Sequence, residues 1–209
     1  MSNLLILESE NDKFFIEALV KYLNLDIELG KPICNIDEYE CIGGISRLSE
    51  RLKALTTKIL KGDINKIGII FDADKVGIED REKQIQIEIE KLKENLDDDF
   101  NDIEFKIFIL NKNGFGELET VLKHIKSKDS TIADCLNAWQ KCLPNSEKLN
   151  QKEFDKFWIQ IYQRYDCCSK REKKRAGEKC NNEISFTKDI YDLDNVILED
   201  LKIFLRELG

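Results

Sequence analysis

Acidic residues stand at the ends of two apolar segments of this sequence. Glu8 directly follows the run Leu4–Leu7. Asp72 and Asp74 directly follow the run Ile67–Phe71. Short, continuous apolar runs of this kind predict strands that are buried on both faces of a parallel sheet. Loops at the carboxyl ends of such strands project side chains into one crevice, so we expect the three carboxylates to converge there.

Converging carboxylates repel one another, and a bound cation is the natural compensation. Carboxylate oxygens, with water and phosphate completing the shell, suit Mg²⁺ or Mn²⁺. Asp72 and Asp74 point the same way if the strand continues through Ala73, because side chains alternate along a strand. A structural interpretation is that Ser9 or Asp12 caps a helix and that the two later aspartates form a turn. Spacing alone leaves both interpretations open.

Strand-like and helix-like segments alternate over the first 125 residues. This pattern is typical of an α/β fold with a mainly parallel sheet of roughly four or five strands and helices on both faces. Weaker strand patterns cover positions 33–42 and 105–110, and amphipathic helices are predicted at positions 15–23, 48–59, 80–96 and 117–125. The core is expected to contain Ile6, Leu19, Leu52, Ile69, Phe71, Ile107 and Leu122.

The strand signal stops near residue 128. Positions 130–165 predict two helices separated at Pro144, positions 166–190 are polar and irregular, and a last helix is predicted from about Val196 to Leu208. We therefore divide the chain into an α/β domain, residues 1–127, and a mostly helical extension packed on it, residues 128–209. No Gly, Ser or Pro-rich linker separates the two.

Charge limits how this chain of 209 residues can meet a nucleic acid. The formal net charge is −8, which argues against binding phosphates over the whole surface. Positions 170–179 nevertheless carry six basic residues and two glutamates, a local net charge of +4. Lys173, Lys174 and Arg175 lie at its centre. This segment is either a solvated surface loop or a local contact for phosphates.

Neither a membrane span nor a metal-binding cysteine motif is evident. No apolar run approaches the roughly 20 residues that a membrane helix needs, and the N-terminus lacks a cationic segment followed by a long apolar one. A cytoplasmic protein is therefore expected. The cysteine count of seven is odd and the spacing is irregular, without a Cys-x-x-Cys pair, so we expect reduced thiols and no zinc site.

Three segments resemble the Toprim domain in the right order. Glu8–Phe15, after its apolar strand, is similar to the Toprim Glu-Gly-x-x-Asp opening, with Ser9 in place of the glycine. Ile69–Asp74 is similar to the hydrophobic Asp-x-Asp strand, and Gly43-Gly44 falls where Toprim domains place glycine. The resemblance covers roughly residues 3–125.

The most similar branch contains small, uncharacterised bacterial Toprim-like proteins related to nucleases of the overcoming-lysogenization-defect type. Their Arg-containing helix and Gly-x-Leu-Glu motif correspond to Arg81 and to Gly116–Glu119. The resemblance implies a metal-dependent nuclease that uses Mg²⁺ or Mn²⁺. It implies catalytic roles for Glu8, Asp72 and Asp74, further metal contacts by Asp12 and Glu119, and phosphate contacts by Arg81, Lys173, Lys174 and Arg175.

Glu119 also has a structural interpretation, because acidic residues are common in the first turn of a helix. The same holds for Glu117, which is the weaker metal-site candidate of the two.

Other functions remain open at this stage. A regulatory or adaptor subunit would keep the fold and work with an ATPase in a defence or toxin-like system, such as defence against phage. The sequence contains no Walker loop and no Gly-x-Gly-x-x-Gly motif, which disfavours a nucleotide-binding domain. DNA and RNA are both possible substrates, and a homo-oligomer is compatible with the sequence.

Overall fold

A parallel sheet lies at the centre of the molecule. A computed structural model describes residues 2–34, 44–94 and 103–209. Within these ranges the sheet has four strands in the order β2-β1-β3-β4, and every neighbouring pair is parallel. The strands are β1 (Ser2–Leu7), β2 (Glu28–Leu29), β3 (Ile64–Asp72) and β4 (Glu104–Leu110). The predicted α/β class with a mainly parallel sheet is confirmed.

Helices surround this sheet and make up most of the C-terminal region. They are α1 (Glu10–Leu23), α2 (Gly44–Leu60), α3 (Ile78–Glu94), α4 (Leu118–His124), α5 (Thr131–Cys142), α6 (Gln151–Ile161), α7 (Ala176–Lys179), α8 (Asn182–Phe186) and α9 (Glu199–Leu208). A π-helical turn, Tyr162–Cys167, continues α6, and 3₁₀ turns cover Glu172–Arg175 and Val196–Leu198. Across the described residues, no helix has the length and apolar character needed to cross a membrane.

The short strand β2 was not predicted from the sequence. Most of the strand predicted at positions 33–42 lies outside the described residues, as does Gly43. Cys34 forms one parallel bridge with Ser9 beside the end of β1. The chain therefore runs along the edge of the sheet earlier than the apolar pattern indicated.

Buried side chains form one hydrophobic cluster on each face of the sheet. Along β1, Leu4 and Ile6 belong to the cluster under α2 and α3, while Leu5 and Leu7 belong to the other. The second cluster also contains residues of α1, α4, α6 and α9, so the C-terminal helices share a core with the sheet. Of the predicted core residues, Ile107 alone was wrong. It is only partly buried because β4 is an edge strand.

One pair of cysteines corrects the expectation of reduced thiols. Cys168 and Cys180 form a disulfide with a Cα–Cα distance of 6.2 Å. Their separation of 12 residues encloses the basic segment, so that segment lies within a covalent ring. An odd cysteine count does not exclude one pair, and the turns after the π helix bring these two together.

Asp155 attaches α6 to α4. Its side chain is 2% exposed and accepts hydrogen bonds from Thr120 Oγ1 at 3.0 Å and Gln151 Nε2 at 2.9 Å. It also pairs with Lys123 Nζ at 3.1 Å. A buried carboxylate is stable only when such partners replace water, so these contacts fix where α6 lies.

Replacing Asp155 by alanine should therefore destabilise the fold. We expect the free energy of unfolding to fall by about 3 kcal/mol, because Lys123 and Thr120 lose a buried partner. Chemical denaturation measures this value. The matched control is Asp80→Ala, which removes an exposed pair with Lys83 and should change stability by less than about 0.5 kcal/mol. Equal effects of the two substitutions would contradict the anchoring role of Asp155.

Candidate functional site

Glu8 and Asp72 meet at the carboxyl edge of the sheet. They end neighbouring parallel strands, whose last paired residues include Leu7 and Ile70. The backbone N–H of Asp72 donates a hydrogen bond to Glu8 Oε2 at 3.3 Å. The strand register therefore places the two candidate catalytic carboxylates side by side.

Asp12 takes part in the cap of α1 and also lies within this acidic group. Ser9 is the N-cap, and its Oγ accepts a hydrogen bond from Asp12 N at 3.2 Å. In return, Asp12 Oδ2 accepts hydrogen bonds from Ser9 N at 2.8 Å and Ser9 Oγ at 2.7 Å. The capping interpretation of this pair is thus correct. It also holds the buried Asp12 carboxylate, 5% exposed, next to the end of β1.

Asp74 does not continue the strand alternation. β3 ends at Asp72, and Asp74 has a φ of +50°, in the left-handed region that Asp tolerates better than most residues. The condition for the two aspartates to point the same way is therefore not met. Asp74 Oδ2 pairs with Arg81 Nη2 at 2.6 Å, and Asp74 Oδ1 pairs with Lys152 Nζ at 3.0 Å.

Gly116 ties the loop after β4 to Asp74. Each residue donates its backbone N–H to the carbonyl of the other, at 2.9 Å in both directions. Gly116 has a φ of +97°, and a Cβ atom there would lie 2.9 Å from Thr120 Oγ1. Glycine is needed at this position on both counts. The link brings the first turn of α4, with Glu117 and Glu119, to the acidic edge.

Two lysines of α6 complete the site, and sequence reasoning missed both. Lys152 Nζ lies 3.0 Å from Glu117 Oε1 as well as from Asp74, and Lys156 Nζ lies 3.3 Å from Glu117 Oε2. They are four residues apart and so lie on one face of α6. Their sequence shows only an amphipathic helix, and nothing in it indicates where that helix docks.

Burial and mutual repulsion raise the pKa values of the central carboxylates. Burial, with the charges of Asp12 and Asp74, raises the pKa of Glu8 to about 7. Burial raises the pKa of Asp12 to about 6, although its bonds to Ser9 oppose the shift. Burial and the charges of Asp12 and Glu8 raise the pKa of Asp72 well above its usual range. These carboxylates are therefore close enough to oppose ionisation of one another.

The acidic residues of α4 respond in the same way. Burial raises the pKa of Glu117 and of Glu119, while the charge of Lys156 opposes both shifts. Glu119 is also among the charges that raise the pKa of Asp72. The structure thus brings Glu119 into the electrostatic group that contains Glu8, Asp12 and Asp72.

One oxygen of this group has an unmet need for a partner. Asp72 Oδ1 is buried and has no hydrogen-bond partner among the described residues. Such an atom normally accepts a hydrogen bond or binds a cation. In the same part of the chain, however, no three Asp, Glu, His or Cys side chains are arranged to hold one metal ion. The carboxylates are clustered without forming a complete coordination shell.

The predicted phosphate contacts lie in two different places. Arg81 is at the site, where its Nε also donates to the Asp72 carbonyl at 3.0 Å. In the basic segment, Lys173 donates to the Tyr165 carbonyl at 2.8 Å, Arg175 pairs with Glu178, and Lys174 is exposed. A cleft of about 370 Å³ joins this region to the acidic edge, since Gly177 and Asn11 both line it.

The fold and site together define an α/β protein with a crowded acidic group and its own cations at the carboxyl edge of a parallel sheet. The chain belongs to a family described as "Protein of unknown function (DUF3226)", which it matches over residues 2–209. No curated protein and no solved structure matches the sequence.

The metal-free protein should lose stability as the pH rises. Glu8 and Asp12 have higher pKa values in the folded than in the unfolded chain, so they favour folding fully below about pH 4 and lose this effect as the pH rises through about 6 to 7. Asp72→Asn removes a neighbouring charge. At pH 8 it should raise the free energy of unfolding by about 1 kcal/mol and flatten the pH dependence.

Thermal unfolding in EDTA across this pH range checks both effects. Asp80→Asn, an exposed change on α3, is the control and should keep the wild-type pH profile. A marked loss of stability in Asp72→Asn at pH 8 would assign the Asp72 side chain a structural role instead.

Proposed function

We propose that this protein is a metal-dependent phosphodiester-cleaving enzyme of Toprim type, acting on DNA or RNA in the cytoplasm. The observation that carries the proposal is the buried, unpartnered Asp72 Oδ1 beside Glu8 and Asp12. A divalent cation bound there would satisfy that oxygen and relieve the repulsion among the carboxylates.

The residues fit such a cation by their chemistry. All candidate ligands are carboxylates, and oxygen donors are what Mg²⁺ and Mn²⁺ prefer. Glu8, Asp12, Asp72 and Asp74 would hold the ion, with Glu119 nearby. Asp74 would then exchange part of its contact with Arg81 or Lys152 for the metal. When bound, the metal would stabilise charge on a phosphoryl group and activate water.

The protein's own residues would position and neutralise the substrate. Glu8, with its pKa raised to about 7, suits a general acid or base near neutral pH. Lys152 and Arg81 are released from Asp74 to the extent that a metal replaces them, so they can meet the phosphate. Lys152 fills the role that the resemblance led us to expect of the basic segment.

Cleavage assays test the proposal directly. The purified protein is incubated with single- and double-stranded DNA and RNA in Mg²⁺ or Mn²⁺. We expect cleavage that is lost in EDTA and slowed at least about hundredfold by Asp72→Asn, since the variant removes a ligand charge without changing shape. Asp80→Asn is the control with normal activity. Cleavage that persists in EDTA or in Asp72→Asn would contradict the metal site.

A second function is favoured by a different observation. Both carboxylate oxygens of Asp74 are already paired with cations of the protein, which can replace a metal structurally. In that case the chain is an adaptor that works with an ATPase in a defence or toxin-like system. Absence of cleavage under all metal conditions, with ATPase binding that Asp72→Asn leaves intact, would favour this function.

The basic segment gives a separate prediction about affinity. Replacing Lys173 and Lys174 together by alanine should weaken binding of all nucleic-acid sequences alike, because phosphate contacts carry no sequence information. Each lost phosphate contact releases fewer counterions, so the log–log salt slope should flatten by about 2. Fluorescence anisotropy at several salt concentrations measures this. An unchanged slope would identify the segment as solvated surface.

A further inference from the structure

Three apolar side chains are exposed next to the acidic site. Phe115 is 57% exposed, Val76 is 38% exposed and Ile78 is 37% exposed. They belong to the loops after β4 and β3, which also carry Gly116 and Asp74. Single exposed apolar residues are common on proteins, but a group at the mouth of a polar site is not explained by chance exposure alone. We name this group the Phe115 rim.

The aromatic ring is held in a defined position. Asn113 and Gly114 have φ values of +56° and +93°, which correspond to the tight two-residue turn that Asn-Gly favours. Lys112 and Phe115 bridge across that turn, with Lys112 N donating to Phe115 O at 2.7 Å. A Cβ atom on Gly77 would lie 3.3 Å from Phe115 Cε1, so the ring lies over the backbone of Gly77.

Cations flank the Phe115 rim. Lys75 directly precedes Val76, and Lys112 is the bridge partner of Phe115. Neither lysine has an ion-pair partner within the described part of the chain. An aromatic face between free cations, beside a group of carboxylates, matches a nucleotide, whose base stacks while its phosphates meet the lysines. A second copy of the chain, with net charge −8, would present no comparable match to ring and lysines together.

We infer that Phe115 stacks on an unpaired base and so directs the site to single-stranded nucleic acid. The face of a base is available for stacking only when the base is outside a duplex or at its end. The inference rests on the proposed nucleic-acid substrate and adds its strandedness. Phe115 acts as a positioning residue, because it places the nucleotide next to the carboxylates and takes no part in proton transfer.

Binding measurements in EDTA test the inference without requiring cleavage. Fluorescence anisotropy compares a labelled single strand of about 12 nucleotides with a hairpin duplex whose ends are closed by loops. Phe115→Ala and Phe115→Leu should each bind the single strand about tenfold more weakly and leave duplex affinity unchanged. Phe115→Trp should bind the single strand at least as tightly as the wild type, because it keeps an aromatic face.

Tyr22→Ala is the control, since it removes an aromatic side chain that is 47% exposed at the far end of α1. It should not alter affinity. Circular dichroism confirms that each variant is folded. Unchanged single-strand affinity in Phe115→Ala, or an equal loss for strand and duplex, would overturn the inference. So would self-association of the wild type that Phe115→Ala abolishes, which would assign the rim to a second copy.

The outcomes for this inference and for the proposed function are separable. Metal-dependent cleavage that is indifferent to Phe115 would leave the enzyme in place and remove the stacking role. Binding that depends on Phe115, in a protein that cleaves nothing under Mg²⁺ or Mn²⁺, would support the inference and reject the nuclease.

Discussion

Repulsion among carboxylates at one edge of the sheet is the constraint on which the rest of the site depends. Glu8, Asp12 and Asp72 are held together by strand register and by a helix cap, and burial raises the pKa of each. Such a group is costly in a folded protein unless positive charge is supplied nearby. The arrangement of the surrounding loops and helices can be understood as the supply of that charge.

The positive charge comes from elements that are distant in sequence. Arg81 lies on α3, while Lys152 and Lys156 lie on α6, which belongs to the C-terminal region. The buried Asp155 attaches α6 to α4, and α4 itself begins beside the Gly116 link to Asp74. The helical extension is therefore part of the site, and the shared hydrophobic core shows the same dependence from the side of packing.

The distribution of basic residues separates two kinds of role. Lys152 lies within hydrogen-bonding distance of two carboxylates, so it is poised for the reacting region. The basic segment lies inside the ring closed by Cys168 and Cys180, and its own bonds are local. A cation near the reacting atoms affects chemistry strongly, whereas exposed lysines act through screened, sequence-independent attraction.

The sequence alone determined the α/β class, the parallel strands and the position of the acidic residues after β1 and β3. These follow from local signals, because buried strands require continuous apolar runs and their carboxyl ends share one edge. It did not determine the left-handed turn at Asp74, the disulfide at Cys168 or the lysines of α6. Each depends on how segments far apart in the chain pack, and an amphipathic pattern states which face is buried but not against what. Only the tertiary structure decided which cations face the carboxylates, since that choice is made by a buried contact between helices.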